Sequence, residues 1–458
     1  MTVPKAERIV VIGGGITGVA AAHRLVTLTS STDTEIILLE AEERLGGKIR
    51  TSRFGESLVD ESADAFLLRT PHAVQLASTV GIGKQLVSPT SASAGIWAGK
   101  LYPIPSDLAL GVPTSITAVA RSGLLPATAL ARAALDLVRP RSSIDHDSIG
   151  EWARSRFGYL VHDRLIDALV GSIYGADTDR FSLQAVPQLH SLAQAGRSAL
   201  ISGRKLRKVA PPQGGPIFGA PPLGMEQLIH STIAALQQHG EERARVISGS
   251  PCRSLQQTNT GWVVNDIEAD GVIVATPAHH ASRLFDGDLR TALGSFDTSD
   301  VAIVTVRVAA DEWPEHLQNR SGYLIPKSQQ RLVTAVSFAS QKWSHLAQDD
   351  GSQILRISLG RDALPIDHLS DADLVNHAIE ETFQQLGIYI DHAETRVSRW
   401  THAFTQYRPH HAERVAAING LLPRHLQLAG SSYRGIGIPA CIADGTRAAE
   451  DLLTSMAN

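Results

Sequence analysis

Apolar residues open the chain in a short unbroken run. "IVVI" (residues 9–12) is β-branched throughout, the pattern of a strand buried on both faces. Three glycines follow at once, and small and apolar residues then recur with a helical period as far as Leu25. "EIILLE" (35–40) reads as a second strand, "ADGVIVATP" (269–277) as a strand ending in a turn, and "LQLAG" (426–430) as another. "ACIADGTRAAEDLL" (440–453) is a helix with small residues on one face, and "APPLGMEQLIHSTIAAL" (220–236) is a turn and then a helix from near Met225. "RVISGSPCRSLQQ" with "GWVVNDI" (245–267) predicts a strand pair. "VAIVTVRV" (301–308) and "GSQILRISLG" (351–360) suit the sheet of a separate domain. Between them and the first strands the chain turns helical, as in "SITAVARSGLLPATALARAALDLVRP" (115–140), where Arg121, Arg132 and Arg139 among leucines and alanines suggest amphipathic helices.

The strand–turn–helix–strand order around Gly13-x-Gly15-x-x-Gly18 predicts an α/β, Rossmann-like dinucleotide fold. There the first glycine makes the tight turn, the second lets a pyrophosphate approach the backbone, and the third lets helix pack on strand. The phosphates meet the free N–H groups and the positive end of the helix. Glu40 ends the second strand 22 positions after Gly18, where a carboxylate meets a ribose hydroxyl pair. The bland alternatives are an ordinary glycine turn and a solvated strand end. "ERLGGKIRT" (43–51) then sets Gly46 and Gly47 between Arg44 and Lys48, offering backbone approach and cationic partners for phosphate.

Composition narrows the class. The chain has 458 residues, enough for two or three domains. Its 42 Lys+Arg against 46 Asp+Glu, net −4, leave no electrostatic footprint for nucleic acid. The two cysteines, Cys252 and Cys441, form neither a CxxC motif nor a disulfide framework, which fits a reducing cytoplasm. The chain starts directly in a strand with no secretory leader, and no apolar stretch is long enough for a membrane span. No metal-ligating motif stands out.

Five stretches carry a more specific likeness. The glycine turn with its GG pair resembles the signature of FAD-dependent oxidases of the amine oxidase type. "GIWAGKLYPIP" (95–105), "DRLIDALVGSIYGADTDRFSLQAVPQL" (163–189), "RWTHAFTQYRPHHAERVAAI" (399–418) and "AGSSYRGIGIPACIADG" (429–445) resemble segments of the protoporphyrinogen/coproporphyrinogen oxidase family in its soluble bacterial form. The likeness runs from Ile9 to Leu453. The chain departs from the family pattern at Ser62-Ala63, Gln194, Thr405 and His410.

The resemblance implies non-covalent FAD. It places the cofactor against Gly13, Gly14, Gly15, Ile16, Thr17, Gly18, Glu40, Ala41, Arg44, Gly46, Gly47 and Lys48. Ser62, Ala63, Asp64 and Ala65 belong to a loop over the flavin, and Cys252 to the adenine end. Trp400, Gly430, Ile436, Gly437 and Ile438 complete the set. It implies an FAD-binding domain from 1–95, 215–277 and 396–458, a helical domain from 96–214 and a substrate domain from 278–395. The implied reaction is the oxygen-dependent, six-electron oxidation of coproporphyrinogen III to coproporphyrin III with three hydrogen peroxide, in heme biosynthesis. A hydride passes from a meso carbon to flavin N5 and the pyrroles stabilise the cation left behind, so no catalytic acid–base pair is assigned. Tyr407, Arg408 and His411, with His410, are candidate substrate residues; Arg204, Lys205, Arg207 and Lys208 form a second cationic cluster that also reads as a solvated loop. A ferrochelatase-type enzyme is the implied partner, and peripheral membrane contact stands beside internal packing for the helical segment. Protoporphyrinogen IX oxidation, another flavin oxidase or desaturase activity and a non-catalytic porphyrin carrier remain alternatives.

Overall fold

The computed structural model describes residues 7–140, 144–209, 215–391 and 394–457. The chain divides into two compact units. One comprises Met1–Ser88, Pro216–Phe296 and Glu413–Asn458, the other Pro89–Gly215 and Asp297–Ala412.

The first unit is built on a five-stranded parallel sheet. Its order is Ala244–Ile247, Glu35–Leu39, Arg8–Ile12, Gly271–Val274 and Leu426–Leu428. The unbroken apolar runs are explained by burial of both faces. Ile9, Val11, Ile36 and Leu38 point to one side and pack with Val19, Ala22, Leu25, Leu236 and Leu452 of the helices Ile16–Leu28, Glu226–Gly240 and Ile438–Ala457. Val10, Ile12, Ile37 and Leu39 point to the other, onto Trp262 and Val264 of a small antiparallel sheet and Leu289 and Leu293 beyond it. Successive residues of a strand thus feed two different cores.

The predicted strand pair at 245–267 is corrected. Ala244–Ile247 is an edge strand of the parallel sheet, paired with Glu35–Leu39. The hairpin begins only at Leu255–Gln257, which pairs with Trp262–Val264. The break between them is the "SGSP" turn, where Gly249 has φ +64° and the Asn265 carboxamide takes the Arg253 N–H at 2.8 Å.

The second unit holds a seven-stranded mixed sheet ordered Thr395–Thr405, Thr298–Val308, Gln353–Leu359, Val333–Phe338, Arg320–Leu324, Ser93–Trp97 and Leu101–Pro103. Helix Asp371–Leu386 packs on it, opened by a Ser370–Asp373 capping box. The helical segment includes His162–Gly171, wound as a π-helix. The expected three-part division therefore shifts. Residues 89–95 and 396–412 leave the nucleotide domain because Ser93–Trp97 pairs with Arg320–Leu324 and Thr395–Thr405 with Thr298–Val308. Residues 278–296 join it because Ala278, Ala281, Leu289 and Leu293 cover the parallel sheet. The helical and mixed-sheet segments form one unit, not two.

Buried ion pairs tie the second unit's distant segments. Arg361 forks onto Asp167 of the π-helix with two contacts of 2.9 Å, and both are fully or nearly fully buried. Burial alone would push the Asp167 carboxyl up, but Arg361 outweighs it and holds it below its ordinary value. Replacing Arg361 by Met strands that buried carboxylate. The expected loss of unfolding free energy is about 3–5 kcal/mol, read from urea titration; a loss near zero shows that the fork does not hold these segments together.

Candidate functional site

The glycine turn sits at the carboxyl end of the first strand. Gly13 adopts φ +107° and donates its N–H to Leu39 O at 2.8 Å. A Cβ at position 18 would run into the Gly13 carbonyl, so only glycine lets helix Ile16–Leu28 start this close to its strand. Gly15 is that helix's N-cap, and no side chain among the described residues caps it. A Cβ at Gly15 meets no described atom within 4 Å beyond its chain neighbours. The position is therefore open above a helix start, the geometry for an anion approaching backbone N–H groups, with Ile16, Thr17 and Gly18 forming the first turn. The GG pair closes over it: Gly46 N–H donates to Gly14 O at 2.8 Å, and a Cβ on Gly47 would lie 3.3 Å from Gly15 Cα.

Glu40 is half-buried at the end of the second strand. Its carboxylate accepts Gly14 N–H at 2.6 Å and Glu42 N–H at 2.9 Å, which fixes it beside the turn. A carboxylate has lone pairs left for hydroxyl donors after two such bonds. Ala41 follows it on the surface. Arg44 has a different place from the one predicted. Its guanidinium donates to Leu45 O at 2.9 Å, Ile49 O at 2.8 Å and Gly47 O, and pairs with Glu226 at 3.3 Å. It braces the GG loop. Burial pushes the Lys48 ammonium below its ordinary value, with Cys441 acting in the opposite sense. The Ser62 hydroxyl donates to Lys48 O, which ties the segment of Ser62, Ala63, Asp64 and Ala65 to this loop. Cys252 donates its thiol to Ser254 O at 3.5 Å, and burial pushes its pKa to about 11, so it stays protonated at neutral pH.

The closing segment arrives at the same end of the sheet. A Cβ on Gly430 would lie 3.7 Å from Thr17 Oγ1 and 3.9 Å from Ala275 O, the carbonyl that also crowds Gly13. Ile436 and Gly437 lead into helix Ile438–Ala457, whose first turn closes with Cys441 N–H on Gly437 O at 2.9 Å. Cys441 is buried beside Thr17, and burial raises its thiol to about 11. Sequence reasoning missed Asp444, 4% exposed, which accepts the Gly430 N–H at 2.9 Å. Its signal was an acidic residue among alanines and glycine, three positions before Arg447.

The candidate substrate residues belong to the second unit and serve a different purpose there. Tyr407 is 2% exposed, its ring stacked on His411 at 3.8 Å and on Phe181 at 5.8 Å between centroids. Arg408 donates to Asp297 at 2.7 Å and to both oxygens of Asp362. Burial works against its charge, but the two carboxylates outweigh burial and raise its pKa. The structure thus corrects Arg408 as an available anion anchor. Neither carboxylate is near it in sequence, so nothing in the "TQYRPHH" segment revealed them. His410 is exposed and its backbone N–H is held by Asp147 at 2.8 Å. Trp400 lies half-buried on strand Thr395–Thr405 of the same unit. Arg204 donates to Thr114 O at 2.8 Å, Lys205 is exposed, and the side chains of Arg207 and Lys208 lie outside the described residues.

A parallel sheet with a glycine turn, an acidic second strand and a returning C-terminal segment defines a nucleotide-binding oxidoreductase architecture. The profile of the flavin containing amine oxidoreductase family matches residues 16–453, and the chain belongs to that family. Within it, the chain is 32% identical to the coproporphyrinogen III oxidase of Mycobacterium leprae (strain TN), over 98% of each chain. It is 29% identical to that of Bacillus subtilis (strain 168), again over 98% of each. Among solved structures it is similar to a protein of Exiguobacterium sp. 255-15 provisionally assigned as a protoporphyrinogen oxidase, with TM-score 0.85 and 27% identity over 98% of this chain and 99% of the other. No helix among the described residues is long and apolar enough to cross a membrane.

Two outcomes follow from this geometry. Gly15→Val adds a branched side chain where no described atom stands in its way but where an anion would approach. The variant is expected to melt below flavin-loaded wild type, through lost ligand stabilisation, but within about 2 °C of flavin-free wild type, and to retain under about a tenth of the wild-type flavin, measured by absorbance after purification; wild-type flavin content contradicts the reading of the turn. The second concerns pH. Burial raises the Asp362 carboxyl, but Arg408 and then Arg180 lower it more, so its folded pKa lies below the unfolded value near about 3.9. Its stabilising contribution is present above that value and is lost as pH falls through the folded pKa. Asp362→Asn should therefore cost stability at pH 7 and progressively less below about pH 4, as followed by urea unfolding. A cost independent of pH shows that the carboxylate's charge is not what stabilises the pair.

Proposed function

We propose that the chain is an FAD-dependent coproporphyrinogen III oxidase that uses dioxygen, converting coproporphyrinogen III and three dioxygen to coproporphyrin III and three hydrogen peroxide. The observation that carries this reading is the end-to-end likeness to enzymes of that name, at 29–32% identity over nearly all of both chains. The first unit's crevice supports FAD over a shorter flavin. The open helix start at Gly15 suits a diphosphate, and the Glu40 carboxylate lies where a second ribose would present its hydroxyls. Lys48 and the N–H groups of the first helical turn would face the phosphates, and the Gly430–Ile438 segment the ribityl end. Non-covalent binding is supported by the two cysteines, whose thiols burial holds protonated at neutral pH, with Cys252 donating to its own loop.

When bound, the flavin supplies the two-electron acceptor chemistry and passes the electrons to dioxygen. The chain's part is to hold and orient. Gly15 lets the backbone close on the diphosphate, Glu40 fixes the nucleoside, and the buried Tyr407–His411–Phe181 stack stiffens the core of the second unit. No protein base is needed, because the electron-rich pyrroles stabilise the positive charge left by hydride loss. The product is the class of porphyrin that an iron-inserting chelatase accepts, which makes such an enzyme the natural downstream partner.

Coproporphyrinogen III is expected to show a kcat/KM higher than protoporphyrinogen IX by about tenfold, since it carries two further propionates for charge-assisted hydrogen bonds. Because Arg408 is already bound by Asp297 and Asp362, Arg408→Ala should keep that preference while lowering stability. Steady-state kinetics of both substrates in both proteins check this. Equal or reversed values in the wild type contradict the substrate assignment, and a preference lost only in the variant shows that Arg408 reaches substrate after all.

A further inference from the structure

We propose that Asp444 is a positioning residue for the flavin, building the turn between Gly430 and the C-terminal helix before the flavin arrives. The inference deepens the flavin reading above and rests on it. The strand Leu426–Leu428 ends its ladder when Ala429 N–H donates to Val274 O at 3.1 Å. The next donor, Gly430 N–H, is buried and has no strand partner to meet, and a buried backbone donor must be paired. Asp444 Oδ2 takes it at 2.9 Å. The backbone there has φ +127°, a shape that glycine adopts freely and an L side chain resists, so the chain alone does not fix it.

The other oxygen of Asp444 works on the same turn. Oδ1 accepts from Arg434 at 3.2 Å, in the middle of the turn, and from Arg447 Nε at 2.8 Å. Arg447 in turn donates to Leu428 O at 2.9 Å, at the strand's end. The bonds form a closed ring: strand end, turn start, turn middle and helix are each fixed through one carboxylate. That carboxylate is 4% exposed, a costly place for a charge unless it is held on both oxygens, as it is here. Gly430 itself faces Thr17 of the first helical turn, so a change in its orientation is a change in the wall of the nucleotide crevice. Prebuilding the turn removes the ordering cost from flavin binding.

The test uses the full chain stripped of flavin and titrated with FAD, beside amide hydrogen exchange of the segment containing Gly430. In the wild type the Gly430 amide should be protected already without FAD. Asp444→Ala should lose that protection and weaken FAD binding by about tenfold or more, as expected for a lost charge-assisted bond. Asp444→Asn keeps an acceptor for the Gly430 N–H but turns its amide donors toward Arg434 and Arg447, and should recover part, not all, of the protection and affinity lost in Asp444→Ala. A residue that only packed the helix would change melting temperature in both variants and leave FAD affinity unmoved; that result overturns the proposal. So does a wild-type Gly430 amide that exchanges freely until FAD is added, a result that stands even where Asp444→Ala does not fold. A wild type that takes up no FAD refutes the flavin reading itself, and is distinguished by needing no variant.

Discussion

The structure of the nucleotide unit depends on one steric constraint: backbone must touch backbone at the head of the first strand. The Gly13 carbonyl leaves no room for a Cβ at Gly18, and the Thr17 carbonyl leaves none at Gly445. Through these two contacts the first helix is pressed against its own strand and against the C-terminal helix. The small residues of both helices, Ala21, Ala22, Ala448 and Ala449, are what that closeness requires, and they are fully buried. The helix start at Gly15 is then left open at the end of the sheet, with Glu40 on one side and Gly430 on the other. The open helix start results from packing that could not be achieved with larger side chains.

The second unit solves a different problem. Its helical segment is joined to its mixed sheet by the buried pair Asp167–Arg361, while Asp136–Arg156 ties distant parts of the helical segment and Asp362–Arg408 ties two loops that follow strands of the sheet. Such pairs add little to stability relative to apolar packing, but removing one partner is costly, so they fix which segments meet. The consequence for function is that arginines in this unit are mostly spent on the fold. Arg408, which looks in sequence like a cation beside an aromatic, is neutralised by two carboxylates more than forty positions away.

What could be read from the sequence follows the range of the interactions. The strands at 9–12, 35–39, 271–274 and 426–428 and the C-terminal helix were legible, because burial on two faces and a small-residue stripe are local patterns. The glycine turn was legible because its requirement is steric and is met within six residues. The placement of Ala244–Ile247 was not, since a strand of four residues carries no mark of whether its partner is the next hairpin or a strand two hundred residues earlier. The unit boundaries failed for the same reason at Ser93–Trp97 and Thr395–Thr405. Asp444 and the partners of Arg408 are long-range contacts of single charged side chains, which leave no periodic trace.

The most direct measurement is turnover. Coproporphyrinogen III prepared without oxygen is mixed with the flavin-loaded protein, air is admitted, and porphyrin fluorescence and hydrogen peroxide are followed together. The predicted result is porphyrin formation well above the uncatalysed rate, with three hydrogen peroxide for each porphyrin. Porphyrin appearing no faster than in the absence of protein, from a preparation that carries its full complement of FAD, would contradict the assigned activity.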